Sequence, residues 1–478
     1  MCIKKFSIVC LLMSGILSTA ALGATLHVPS EYPTIQAGIN AASDGDTVMV
    51  SDGTYSGDGN RNLRFLGKKI TLVSANGPES CVIDCTPVPG SNSFGFRFDN
   101  SEDQNSVLSG FTICNAYYLS ENFWTNGAGI ICDQSSPVIV NCIVRDCFSD
   151  DVGAGMFFYL SRATVNRCTI LNNLSEAANG GGISLARSDV VFTNCRIHGN
   201  TGGGFQAVES DPTMVNCIVS ENSTYHVGAG FNLINAYPTI INCTIVGNDA
   251  DLHGGAVYCA ASYPLFYNCI FWDNSPDDLK TGTGQPSVRY SCVNGGYPGI
   301  GNISGDPLFS DIAGTDFHLT QYSPCIDAGT DRTPLDKDYD GLPRNQGGCV
   351  DMGAFENQEW AGYTRTNIMM PSHTILPGDT VNCIAYVNNQ SSSELAKHHL
   401  FVILDLNGAL FFAPSFSQYD HYTQTFLPGI SDVTVLDEFK WPAGVGAMNG
   451  VIWYCAILNP DSTRIVGEIS VYDFGWTE

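Results

Sequence analysis

Residues 202–222 read GGGFQAVESDPTMVNCIVSEN, residues 228–248 read GAGFNLINAYPTIINCTIVGN and residues 254–274 read GGAVYCAASYPLFYNCIFWDN. They are copies of one unit that the chain writes six times between Gly127 and Asn274. Cys142, Cys168, Cys195, Cys217, Cys243 and Cys269 align the copies. Fifteen residues before each cysteine stands a glycine (Gly127, Gly153, Gly180, Gly202, Gly228, Gly254). Five residues after it stands Cys147 or an asparagine (Asn173, Asn200, Asn222, Asn248, Asn274). The unit from glycine to asparagine keeps 21 residues, and all length variation falls in five connecting turns. These are Phe148–Val152, Leu174–Asn179, Thr201 alone, Ser223–Val227 and Asp249–His253.

A period of 22 to 27 residues predicts a solenoid. Each unit carries short β-rich runs such as Val138–Val144 and Thr239–Val246, broken by Gly, Asn and Ser-Pro or Tyr-Pro turns. Helical spacing of apolar residues is absent. The chain is therefore expected to be all-β, a parallel β-helix whose rungs lie about 4.8 Å apart with equivalent positions superposed. The cysteine column then fills the interior as a small hydrophobe. The asparagine column runs amide hydrogen bonds from rung to rung, and the glycines admit positive φ or close backbone approach. Equivalent Cβ atoms on neighbouring rungs lie further apart than the roughly 3.8 Å of a disulfide, so the cysteine column is not expected to bridge.

These repeats resemble the right-handed parallel β-helix proteins of the pectin-lyase-like superfamily, over Ala24 to about Glu356. The resemblance implies the fold and leaves the activity open, because that fold hosts lyases, hydrolases, esterases, adhesins and inert spikes. The opening HVPSEYPTIQAGINAASDGDTVMVSDGTY (27–55) is also found in pectin methylesterases, whose active-site motifs do not follow here. Ile35, Ile39 and Ala42 recur on one face of a short helix that would plug the open coil. Less regular coils are expected over 60–126, with strands near Ile70–Val73, Cys81–Asp84 and Val107–Cys114. Residues 286–356, with GDPLFSD (305–311) and VDMGAFE (350–356), resemble the terminal segment of secreted bacterial β-helix proteins and are expected to close the stack.

Outside the coil, residues 1–23 read as a secretory signal peptide: Lys4 and Lys5, an apolar Ile8–Leu17, and a small-residue site at Ala21-Leu22-Gly23. No later stretch reaches the roughly 20 apolar residues of a membrane span, so export as a monomer, secreted or at the cell surface, is expected. After a linker over 357–366, residues 367–478 lose the repeat and alternate as a β-sandwich. In it Cys383 and Cys455 stand on two strands that an oxidising compartment could bridge. The net charge of −26 argues against nucleic acid or anionic membrane as a partner. It is also awkward for a polyanionic sugar unless Ca²⁺ bridges the two.

Stacking places the variable turns along one edge. Down that edge stand Tyr117, Tyr118, Phe123, Trp124, Asp150, Asp151, Glu176, Tyr225, His226, Asp249, Asp251 and His253, with a notch at Thr201. Aromatic faces beside carboxylates suit sugar binding. His226 and His253 occupy equivalent ends of two turns and could ligate a metal or transfer a proton. Asp150 with Asp151 and Asp249 with Asp251 are paired carboxylates of the kind glycoside hydrolysis uses, without the polygalacturonase motifs around them. A polysaccharide lyase needs a base and a cation. No lysine stands between Lys69 and Lys280, which leaves Arg145, Arg162, Arg167, Arg187 and Arg196. Asp336, Asp338 and Asp340 before Gly341 have the spacing of a Ca²⁺ loop, but Gly347 stands where its glutamate belongs. The GGAV and FWDN of the last copy are similar to the repeats of chlamydial polymorphic membrane proteins, which are adhesins. The leading expectation is an exported protein that binds extracellular or cell-surface polysaccharide. A calcium-assisted lyase or glycoside hydrolase is the alternative, and a structural surface protein the third.

Overall fold

The computed structural model describes residues 23–476 apart from 89, 120–126, 178–179, 321–322, 331–333, 345–348, 359–363, 371–373, 390–392, 428, 464 and 467–468. Residues 1–22 of the expected leader, Phe123, Trp124 and Gly347 therefore lie outside the described residues.

The repeat folds as a coil with three parallel faces. In one rung, Ile130–Asp133 belongs to the first face, Val138–Val140 to the second and Ile143–Arg145 to the third. The faces contain nine, eleven and ten strands respectively. Their register is the spacing of the sequence repeat. Ile139 stacks on Val165, which stacks on Phe192, Met214, Ile240 and Phe266 in turn. Every second residue points inward, so Ile139, Val144, Phe158, Phe192, Phe231 and Phe271 share one continuous core. Burying such side chains contributes roughly 1.5–3 kcal/mol each, which stabilises rungs that could not stand alone.

The cysteine column is buried and its thiols are unbridged. It also bonds. The Cys195 amide donates to Cys217 Sγ at 3.5 Å and the Cys217 amide to Cys243 Sγ at 3.3 Å. In the last rung Ser291 Oγ takes over, accepting the Cys269 amide at 3.0 Å. The asparagine column forms a ladder. Nδ2 of Asn173, Asn200, Asn222 and Asn248 each donates to Oδ1 of the next asparagine, at 2.9–3.0 Å. A third, serine column at the corner between the first two faces bonds likewise: the Ser161 amide donates to Ser188 Oγ, and the Ser188 amide to Ser210 Oγ. Serine is common enough in turns that the sequence reading passed over it.

Helix α1 (Ile35–Ala41) closes the first end. Thr34 caps its N-terminus, and Ile35 and Ile39 are buried over the open coil. The Lys68 ammonium donates to the carbonyls of Ile39, Asn40 and Ala42, filling acceptors that the helix end leaves open.

The other end departs from expectation. Leu279–Gly284, Ser287–Arg289 and Cys292–Val293 are the last strands of the three faces. The described residues of 305–357 instead fold back as a strap over the outside of the third face. Phe317, Ala354 and Phe355 pack on Ile218 and Val246, and Leu319, Cys325 and Met352 on Ile270 and Cys292. Hydrogen bonds pin it to the corner asparagines. Asn216 Nδ2 donates to the Lys337 carbonyl at 2.7 Å, Asn242 to that of Asp351 and Asn268 to that of Thr330. Gly353 has φ 92°, and a Cβ there would come within 2.8 Å of Ile270 Cδ1.

The C-terminal region has two antiparallel-rich sheets. One contains Thr364–Met369, Thr380–Asn389 and Gly429–Lys440; the other contains Leu395–Leu406, Met448–Leu458 and Ser470–Trp476. Cys383 and Cys455 come from the two sheets into a shared core around Trp453, and both thiols are free. This is a β-sandwich. No helix among the described residues is long and apolar enough to cross a membrane.

Candidate functional site

In most rungs the chain leaves the asparagine position into a two-residue strand before it turns. Tyr117–Tyr118, Phe148–Ser149 and Leu174–Ser175 form one short parallel ladder, and Ser223–Thr224 pairs with Asp249–Ala250 in another. Thr201 bridges to both Leu174 and Ser223, so the short turn links the two ladders. The turns then return over the first face, and its outward residues Ile131, Phe157, Ser184, Gln206 and Asn232 are buried. The glycine column follows from this: a Cβ on Gly127 would stand 2.6 Å from Phe157 Cβ, and one on Gly180 2.9 Å from Gln206 Cβ.

Along this edge the expected residues divide. Tyr117 is half-buried and stacks on Phe148 with ring centroids 4.8 Å apart, and Tyr118 is buried. Asp150 and Asp151 are partly covered, and Ser175 Oγ donates to the Asp151 carbonyl. Glu176 is exposed. The second ladder is more open: Tyr225 is 70% exposed, and His226, Asp249, Asp251 and His253 are exposed with it. One reading needs correction. The register pairs Thr224 with Ala250 and Val227 with His253, so Leu252 stands opposite His226. The histidines are one position out of step.

His253 turns instead to an acidic pair that sequence reading missed, with Nδ1 3.8 Å from Asp277 Oδ2. Beside it Asp278 terminates the asparagine ladder, its Oδ1 accepting from Asn274 Nδ2 at 2.8 Å. Burial pushes the Asp278 carboxyl up to about 6, against the opposing hydrogen bond from Asn274 and with a smaller push from Asp277. The sign follows. The folded chain holds this proton more tightly than the unfolded one, so stability falls as pH rises from 3.8 through about 6 and levels above it. Asp278→Asn should therefore raise thermal stability at pH 7.5 by on the order of 2–3 kcal/mol and leave it unchanged at pH 3.5. Equal effects at both pH values, read by calorimetry, would overturn this.

The carboxylates of the acidic loop do not converge. Asp338 is buried in the strap, where its oxygens accept the Leu342 amide at 2.8 Å and the Glu356 amide at 3.0 Å. Asp340 meets His318 Nε2 at 2.8 Å, and the Asp336 carbonyl accepts the Arg344 amide. No group of three His, Cys, Asp or Glu side chains that could hold a metal ion occurs among the described residues. Four of the five arginines are also engaged, and Arg167 is exposed. Arg145 pairs with Asp146, Arg187 with Glu209 at 2.8 Å and Arg162 with Asp189 at 3.7 Å, while Arg196 lies over the Phe317 ring. The hydrogen bond that Arg145 donates to Asp146 holds its guanidinium above the usual range, and the one to Glu209 does the same for Arg187, which opposes a role as base.

Parallel ladders with rung-to-rung register define a β-solenoid, and the comparison with families agrees. The profile described as Right handed beta helix region matches residues 56–215, 153–249 and 181–306, together more than half of the chain, and the chain belongs to this family. It matches no curated protein and no solved structure.

Proposed function

We propose that this is an exported β-helix protein that binds extracellular or cell-surface polysaccharide along its variable-turn edge. The observation that supports the reading is the second ladder, where Tyr225, His226, Asp249, Asp251 and His253 stand exposed on adjacent rungs. Tyr225 is one residue past Thr224 and Asp251 one past Ala250, so an aromatic ring and a carboxylate are neighbours across the rung spacing. Such a surface offers a ring for the apolar face of a sugar and acceptors for its hydroxyls. The backbone beneath is already ordered, so binding need not order it. The leader at residues 1–23 supports an extracellular place of action.

The test is retention of the mature protein on immobilised acidic and neutral polysaccharides, with and without Ca²⁺, while the soluble phase is assayed for reducing ends and unsaturated uronates. Asp249→Ala with Asp251→Ala should lose retention while thermal stability stays within about 0.5 kcal/mol, as expected for exposed side chains. Asp150→Ala with Asp151→Ala serves as the partly covered counterpart. A matching loss of stability in both pairs would make these carboxylates structural and end the proposal. A hydrolase is the second reading, favoured by Asp278, whose raised carboxyl beside Asp277 has the character of an acid. New reducing ends that vanish in Asp278→Asn would establish it.

A further inference from the structure

A second surface lies at the corner between the first and second faces, on the far side of the first face from the variable turns. The serine column marks this corner, and the next residue in each rung faces solvent. Because Thr213, Thr239, Leu265 and Ser287 are in register, the residues two positions earlier, Asp211, Tyr237, Tyr263 and Gln285, form one column on successive rungs. Tyr237 and Tyr263 are 56% and 54% exposed, yet their rings stack with centroids 5.8 Å apart and planes 12° apart. Two tyrosines that could each point freely into water are held parallel by the rung spacing. The backbone below them is fixed as well: Asp211 Oδ1 accepts the Tyr237 amide at 2.8 Å, and Asp189 Oδ1 accepts the Asp211 amide at 3.1 Å. Among the described residues, neither phenol hydroxyl has a hydrogen-bond partner in the protein.

We infer that this column is a saccharide-binding platform for a neutral polysaccharide, separate from the turn edge. Mutual stacking uses one face of each ring. The outer faces are left to a ligand, with Asp211 and Gln285 at the same position on the rungs before and after. A pyranose ring seated on either face continues the stack at rung spacing, placing its axial C–H groups on the aromatic ring. Its hydroxyls then meet acceptors and donors at the column ends, the Asp211 carboxylate and the Gln285 amide. The preference for a neutral chain comes from charge. Asp211 stands next to Tyr237 in the column, Asp189 beyond it is paired with Arg162, and the whole protein carries −26, so the net field disfavours a uronate polymer over a neutral one. The inference shares with the proposed function only the premise that the protein meets polysaccharide; its residues are different.

The experiment measures affinity of the full mature chain for cellohexaose, chitohexaose and hexagalacturonate by calorimetry. Variants are Tyr237→Ala with Tyr263→Ala, Tyr263→Phe, and Asp249→Ala with Asp251→Ala. Binding of at least one neutral hexasaccharide is expected, with weaker or no binding of hexagalacturonate. The double tyrosine variant should lose about tenfold or more in affinity, while Tyr263→Phe, which keeps the ring, stays within about threefold. Adding Tyr237→Ala and Tyr263→Ala to the aspartate variant should still cost about tenfold in affinity for the neutral probe, so failure of the turn edge and failure of this platform are distinguishable. The thermal midpoint of each variant checks the fold. No binding of either neutral probe, undiminished binding by the double tyrosine variant, or tighter binding of hexagalacturonate would overturn the inference. So would a fall in solution mass from dimer to monomer in the tyrosine variant, which would make the stack a contact between copies.

Discussion

Arg344→Met is expected to release the strap from the coil. The Arg344 guanidinium is fully buried, donating Nη2 to Asn216 Oδ1 at 3.0 Å and to the Ala354 carbonyl at 2.6 Å. Glu356 lies 3.6 Å from Nη1, and Asp338 and Asp351 are buried close by. Burial pushes the Asp351 carboxyl well up, and the neighbouring Glu356 and Asp327 add to the shift. One cation thus offsets several carboxylates in a dry contact. Removing it leaves them uncompensated, a change that costs about 3–5 kcal/mol where one partner of a buried pair is lost. The described residues of the strap pack on the outer side of the third face, so the coil beneath should survive. Amide exchange should therefore rise over residues 305–357 while the strands of the first face stay protected. Glu356→Gln in the same chain should restore part of the loss. Acidification should also narrow the deficit, because the stranded carboxylates can then take up protons. Unchanged exchange within the strap would show that its apolar contacts with Ile218, Val246 and Ile270 suffice.

Asn200→Ala should destabilise the coil by a similar amount, about 3–5 kcal/mol, through a different mechanism. Asn200 is wholly buried. Its Nδ2 donates to the Ile170 carbonyl at 3.0 Å and to Asn222 Oδ1 at 2.9 Å. Its Oδ1 accepts both the amide and Nδ2 of Asn173. Alanine leaves the Asn173 amide without a partner inside the protein, at a cost on the order of 1–3 kcal/mol, and strips the Ile170 carbonyl and Asn222 Oδ1 of a donor each. Aspartate would be no better, since it cannot donate. Asn235→Gly is the control: Asn235 is exposed with φ 51°, a conformation glycine adopts freely, so its loss should be small. Chemical denaturation of the three variants decides the matter. A cost at Asn200 no larger than at Asn235 would mean that water enters the ladder and replaces the amide.

Both variants bear on how the chain was legible. The asparagine, cysteine and glycine columns could be read because a stacked coil turns sequence period into contact. Residues 26, 27 or 22 apart sit on top of one another, and a side chain needing a like partner must recur at that spacing. The carboxylates and aromatics of the turn edge could be named for the same reason, though a one-residue offset between His226 and His253 escaped counting by turn length. Asp278 stayed hidden because it stands outside the repeat, and burial, which only the folded coil supplies, raises its carboxyl.

By itself, then, the sequence determined the solenoid, its rung length, its buried columns and the helix that closes its first end. These depend on local strand preference and on identity between neighbouring rungs, both written in the chain. Only the tertiary structure decided where the described residues of 305–357 lie, because their partners Asn216, Thr244 and Asn268 stand 62 to 128 residues away with no periodic relation to them. It alone decided that Tyr237 and Tyr263 are a stacked pair rather than two turn residues, since parallel rings require a register that composition does not contain. Contacts that repeat can be read from spacing, whereas contacts made once, between segments distant in sequence, are set by which surfaces the folded coil leaves open.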